Sequence, residues 1–128
     1  MARVSKGAAG EIVAARFLRD KKYTILAANY RCRFGEVDII AADRSYITFV
    51  EVKTRRNDAM VSPREAVTVA KRRRVIQTAA MYLSHYPTKL QPRFDVIEVV
   101  TATDDPLKVV EINHIVGAYE TGDLRTAF

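Results

Sequence analysis

Tryptophan is absent from this chain of 128 residues, cysteine occurs once, at Cys32, and histidine twice, at His85 and His114. A lone cysteine excludes an internal disulfide, and a cytoplasmic setting is the expectation. One cysteine and two distant histidines also leave no zinc site of ordinary composition. No apolar run approaches the roughly 18 residues needed to span a bilayer, so no membrane partner is expected. Five glycines and four prolines form no linker-like cluster, and no repeat or low-complexity segment interrupts the chain. A single domain over 1–128 follows, with about 117–128 as an irregular tail. The N-terminal stretch carries Glu11 and Asp20 and reads as mature protein rather than a targeting peptide. The aromatic residues are scattered and suggest no stacking platform for single-stranded nucleic acid.

Charge, by contrast, is plentiful and uneven. Between Lys53 and Arg74 stand eight basic residues against two acidic ones, Asp58 and Glu65, and this window accounts for the whole net charge of +6. Such a zone suits a polyanion. Arg55 and Arg56 are candidates for gripping phosphates. Lys71, Arg72, Arg73 and Arg74 are consecutive helix positions that spread around the helix and cannot all meet one ligand. Arg73 is assigned to the edge of the apolar stripe, where it would snorkel, leaving Lys71, Arg72 and Arg74 as nucleic-acid contacts.

Periodicity predicts the order α-β-β-β-α-β-β, a mixed sheet with helices packed against it. The first helix is expected over about 6–22, with Val4, Ala8, Ile12, Ala15 and Leu18 as its apolar stripe. Strands follow at about 23–30, 36–42 and 46–54. Ser62, Pro63 and Glu65 read as a capping box opening a second helix that runs to about His85, with Val69, Ile76, Ala80 and Leu83 among its apolar positions. The last strands are expected at 93–101 and 108–116. His85 and His114 read as ordinary satisfied residues, Cys32 as a small loop residue, and Asp95 as a strand-end partner of Arg93.

Four charged residues interrupt the most apolar part of the chain, "GEVDIIAADRSYITFVEVKTRR". Alternation puts Ile47, Phe49, Glu51 and Lys53 on one face of a central strand, and Glu36 and Asp38 on one face of its neighbour, with Val37 and Ile39 on the other. A hairpin turn centred between Arg44 and Ser45 sets Asp38 opposite Glu51. Two facing carboxylates repel unless a cation lies between them, and a divalent ion with oxygen ligands answers that need. Lys53 beside it would position a water or stabilise charge growing on a phosphate. The bland alternative is a plain ion pair of Lys53 with Glu51 or Asp38 at a strand end. Glu11 lies on the first helix where it either points toward this cluster or stays at the solvent edge.

Asp38 followed by "Glu51-Val52-Lys53" resembles the D…(D/E)xK signature of the PD-(D/E)xK nuclease superfamily, with Val37 in place of the proline of that name. "GAAGEIVAARFL", "GEVDII" and "FVEVKTR" together are similar to the YraN-like family of bacterial proteins, related to archaeal Holliday-junction resolvases. The resemblance implies a restriction-endonuclease-like αβββαβ core and an endonuclease acting on DNA in preference to RNA, on branched or damaged substrates. It implies Mg²⁺ or Mn²⁺ held by Asp38, Glu51 and the Val52 carbonyl, with Lys53 as catalytic lysine and Glu11 as a further carboxylate of the site. Lys71 falls where related nucleases place an auxiliary polar residue, and resolvase-like relatives imply a homodimer. The rival reading is a non-catalytic nucleic-acid-binding or assembly module that keeps the nuclease fold.

Overall fold

The predicted element order is the one found. A computed structural model describes residues 6–59 and 68–121. It comprises α1 (Lys6–Asp20), β1 (Thr24–Cys32), β2 (Gly35–Ala42), β3 (Tyr46–Arg56), α2 (Val69–His85), β4 (Gln91–Thr101) and β5 (Val109–Tyr119). The strands form one sheet in sequence order. Every neighbouring pair is antiparallel except β3 and β4, which run parallel. Only that connection needs a crossover, and α2 supplies it. The result is a mixed α/β domain compatible with a restriction-endonuclease-like core. No described helix is long and apolar enough to cross a membrane.

Each helix covers one face of the sheet, so the central strand β3 is buried on both sides. Toward α2, Ile40, Ile47, Phe49 and Phe94 pack with Val75, Ile76, Ala79 and Tyr82. Toward α1, Ile39, Ala41, Val50, Ile97 and Val99 pack with Ala14 and Leu18. The β-branched and aromatic content of "YITFVEVKT" suits a strand enclosed in this way.

Helix α1 is rotated from the stripe expected of its large apolar residues. Gly10, Ala14 and Leu18 face inward, whereas Ile12 is 54% exposed. Close approach is the reason: a Cβ at Gly10 would lie 2.3 Å from Thr54 Oγ1. Small residues bring the helix axis onto the sheet, and size-weighted periodicity overlooks them. This rotation leaves Glu11 half-buried on the flank of the inward face.

Helix α2 begins at Val69, later than expected. Thr68 is its N-cap, extended at φ −67° and ψ 162°, and its hydroxyl accepts from the Lys71 N–H. The capping box of Ser62, Pro63 and Glu65 lies outside the described residues. Val69 is 69% exposed and Arg73 is exposed as well. Lys71 and Arg72, one turn before the buried Val75 and Ile76, are half-buried on the inner side. Toward the other end of the chain, β5 continues through Gly117 and Ala118 to Tyr119, so the irregular tail expected from residue 117 does not begin there; residues 122–128 lie outside the described residues. Gly117 takes a positive φ of 59° and Ala118 is buried against Val96.

Asp95 does pair with Arg93, but in mid-strand and with no exposure at all. Arg93 donates to both its oxygens at 2.9 and 2.8 Å, the Gly117 N–H donates to Oδ1 at 2.9 Å, and His114 Nε2 lies 2.8 Å from Oδ2. Lys21 Nζ contacts the other ring nitrogen of His114 at 2.9 Å, which makes Nδ1 the acceptor and Nε2–H the donor toward Asp95. His114 is thus satisfied, as expected, although its side chain is only 3% exposed.

Candidate active site at a fork in the sheet

The hairpin register places Ile39 opposite Val50, Ile40 opposite Phe49 and Ala42 opposite Ile47. Carried one rung further, it sets Asp38 against Glu51, as the turn position predicts. The β2–β3 ladder ends at Ile39 and Val50, however. Beyond it β2 stays with β1 down to Gly35, while β3 stays with β4 up to Arg56. The two strands part at the two carboxylates, and the sheet is forked there.

Strand β2 is also irregular at this point. Val37 packs on the α2 side and Ile39 on the α1 side, so the expected sharing of one face by these two residues does not hold. Across from Asp38 on β1, Asn29 has a positive φ of 54°, and no rung joins them between Ala28–Ile39 and Tyr30–Val37. Asp38 therefore turns into the fork, where its Oδ2 accepts the Val52 N–H at 2.8 Å. A side chain replaces the missing ladder bond. Glu36, its expected face-mate, is exposed instead and pairs with Arg31 at 2.8 Å.

Three further groups converge on the fork. Glu11 comes close to Asp38 from α1. From the α2 side Glu51 Oε1 is contacted by Lys53 Nζ at 3.2 Å, its neighbour two positions along β3, and by Lys71 Nζ from the first turn of α2. Asp38 is 8% exposed and Glu51 6%, so their charges are poorly solvated. Burial raises Asp38 to about 7, with Glu51 and Glu11 adding to the effect and the Val52 N–H opposing it. Burial lowers Lys53, and the proximity of Lys71 lowers it further against the pull of Glu51. Burial acts downward on Lys71 too, but its bonds to Glu51 and Lys53 outweigh it and leave Lys71 raised.

The donor chemistry is that of a hard ion. Among the described residues no set of three or more His, Cys, Asp or Glu side chains is placed to ligate a metal, which disfavours an all-protein cage. Mg²⁺ needs only one or two carboxylates and otherwise keeps water or phosphate oxygens. Asp38 and Glu51 meet that requirement. Because N–H and C=O of one strand residue face the same neighbour, the Val52 carbonyl opens on the same fork.

The remaining sequence candidates are dispersed. Arg55 is tied to the buried Glu98 at 2.7 Å, which also accepts from Asn113 at 2.8 Å, and its Nη1 bonds the Arg56 carbonyl. Arg56 pairs with Asp58 at 3.1 Å. The Arg72 guanidinium lies 5.4 Å from the Tyr119 ring centroid. Arg74 is exposed beside the β1–β2 turn: a Cβ at Gly35 would come within 3.6 Å of Arg74 Cβ. Gly35 itself has a φ of +149°, a conformation that favours glycine. This adjacency adds Arg31 and Arg33, both exposed, to the basic flank of α2. The basic turn "RCRFG" was the available signal, but nothing in the sequence locates it against a helix forty residues away.

The buried Asp38 yields a stability prediction. Its folded value, about 7, lies above the unfolded value of 3.8, so between these the folded protein binds the extra proton. Stability then falls as pH rises from about 4 to 7 and is level above. In chelator, Asp38→Asn is expected to abolish about 2–4 kcal/mol of this fall and to exceed the wild type in stability at pH 8. Denaturant titrations at pH 5 and pH 8 test this; a wild type more stable than the variant at pH 8 contradicts it.

A family model described as "Uncharacterised protein family UPF0102" matches residues 10–99, a span that includes Glu11, Asp38, Glu51, Lys53 and Lys71. The UPF0102 protein of Caldanaerobacter subterraneus subsp. tengcongensis is 40% identical over 123 residues, covering 93% of this chain and 100% of the relative. That of Symbiobacterium thermophilum is 48% identical over 103 residues, covering 80% and 87%. That of Nocardia farcinica is 50% identical over 95 residues, covering 73% and 75%. The family to which "GAAGEIVAARFL", "GEVDII" and "FVEVKTR" pointed is therefore the right one, and this chain belongs to the UPF0102 family.

Proposed function

We propose that this protein is a divalent-metal-dependent endonuclease that hydrolyses phosphodiester bonds in DNA. One observation carries the reading: Asp38, Glu51 and Lys53 meet at a fork in the sheet, where two nearly buried carboxylates face each other without a ladder between their strands. Such an arrangement costs stability and contributes nothing evident to the core, which is a reason to assign it to chemistry. A Mg²⁺ or Mn²⁺ ion at Asp38 and Glu51 would supply Lewis acidity toward a phosphate oxygen. Asp38 is oriented for this by the Val52 N–H and Glu51 by Lys53, two positions along β3. Lys53, lowered by burial and by Lys71, is suited to hold and take up a proton from the attacking water. Glu11 completes the acidic wall from α1. Arg31, Arg33 and Arg74 stand exposed around the β1–β2 turn and suit the phosphates of a polyanion.

The rival reading, a nucleic-acid-binding module without catalysis, draws on a different observation. Glu51 already has two cationic partners, so half of the acidic pair is neutralised by the protein itself. Cleavage of a DNA panel (duplex, single strand, flap and four-way junction) with Mg²⁺ and Mn²⁺ separates the two. Cutting that needs the ion and disappears in Glu51→Ala is expected. Tight, salt-sensitive binding to one of these DNAs with no cutting under any ion would favour the module instead.

A further inference from the structure

Lys71 is the residue whose position the fold itself does least to explain. A helix N-terminus favours acidic residues in its first turn, yet α2 has none there, and Lys71 occupies the third position after the Thr68 cap. Its side chain is not released to solvent, as a lysine in that place would ordinarily be. It reaches across to the Glu51 carboxylate and meets the same oxygen as Lys53. Two ammonium groups on one carboxylate oxygen repel each other, and Lys53 alone, two positions along the same strand, would suffice as a counter-ion. The second cation comes to Glu51 from α2, whereas Glu11 approaches Asp38 from α1. Lys71 also differs from Lys53 in attachment. Lys53 is held by a central strand paired through Glu98, whereas Lys71 rides on a helix start and is about one-third exposed.

We propose that Lys71 is a placeholder cation: it neutralises Glu51 when no metal is bound, competes with the divalent ion for that carboxylate, and is displaced toward a phosphate of the nucleic acid when the ion enters. This rests on reading Asp38 and Glu51 as metal ligands. It makes metal and DNA binding mutually reinforcing, because the phosphate accepts the ammonium that the metal evicts, and such coupling is reciprocal. It also reconciles the two observations behind the rival readings, since a site neutralised by lysines at rest is still a metal site once they move.

The test is Mn²⁺ binding to the full chain without DNA, measured by titration calorimetry on wild type, Lys71→Met, Lys71→Gln and Arg73→Met. Removing the competing charge is expected to tighten Mn²⁺ binding about tenfold in both Lys71 variants. Arg73→Met removes an exposed charge from the same helix and is expected to leave the affinity unchanged, which controls for net charge. Equal or weaker binding by folded Lys71 variants overturns the placeholder while leaving the metal site in place. Tightening of the same size in Arg73→Met also overturns it, by assigning the effect to overall charge. Absence of Mn²⁺ binding in wild type and in all variants overturns both the placeholder and the metal reading beneath it. Melting temperatures in chelator, measured on the same samples, establish that each variant is folded.

Discussion

Asp95→Ala is expected to cost about 3–5 kcal/mol of folding stability, the loss typical of removing one partner from a buried ion pair. Asp95 has no exposed surface and holds three groups through four hydrogen bonds: Arg93 through both oxygens, His114 and the Gly117 N–H. Alanine would leave the Arg93 charge, itself 13% exposed, without its carboxylate. It would also leave the Gly117 N–H without its acceptor on β5. Because Arg93 donates to Tyr23 as well, at 2.6 Å, the damage would reach from β4 and β5 to the end of α1. The ionised form is strongly favoured: burial opposes it, but bonds from His114, Arg93 and Gly117 overcome burial and hold the carboxyl well below its ordinary range. The stabilisation from that depressed value is therefore present above the unfolded carboxylate value and is lost as pH falls below it. Asp95→Asn, which keeps the shape but not the charge, should show an attenuated acid transition. Denaturant unfolding at pH 7 and pH 3 would measure both effects. A loss below 1 kcal/mol for Asp95→Ala at pH 7 would mean that the network is incidental to stability.

Lys53→Ala is expected to reduce metal-dependent DNA cleavage by about 10²–10⁴-fold, the range for removal of a positioned proton-transfer or charge-stabilising group. The same substitution should change stability by less than about 1 kcal/mol. Lys53 is 28% exposed, and Glu51 retains Lys71 when Lys53 is gone. This separation of activity from stability distinguishes a catalytic lysine from a plain strand-end ion pair. Lys53→Arg should not restore activity, since a guanidinium stays protonated and holds its donors in a rigid fork. Single-turnover cleavage beside thermal melts would decide the matter. Parallel losses of activity and stability would assign Lys53 to structure.

Several features of the fold are legible in the sequence. The run "YITFV" marks a strand buried on both faces, because its β-branched and aromatic residues leave no polar side to expose before Glu51 and Lys53. The turn at Asp43–Ser45 set the register of Asp38 against Glu51, because a short antiparallel hairpin permits few alternatives. Misplacements arose where small residues decide. Gly10 and Ala14 turn α1 by bringing it close to Thr54, while the larger Ile12 points away. The run Lys71–Arg74 reads as a polyanion surface, and the resemblance also sets Lys71 where related nucleases place an auxiliary polar residue. A lysine one turn before Val75, in line with Thr78 and Tyr82 on the buried side of α2, was the available sign that it faces inward.

The sequence by itself determined the order of elements, the central place of β3, the hairpin register and the chemical character of the Asp38–Glu51–Lys53 set. Each follows from periodicities of two or 3.6 residues and from short turns, which are local properties of the chain. Only the tertiary structure decided where β2 and β3 separate, which carboxylate Lys71 meets, that Arg55 belongs to Glu98, and that Glu11 reaches Asp38. Those contacts join residues far apart in the chain, and their geometry depends on how closely each helix settles on the sheet. That distance is governed by packing across the whole core, which no local pattern encodes.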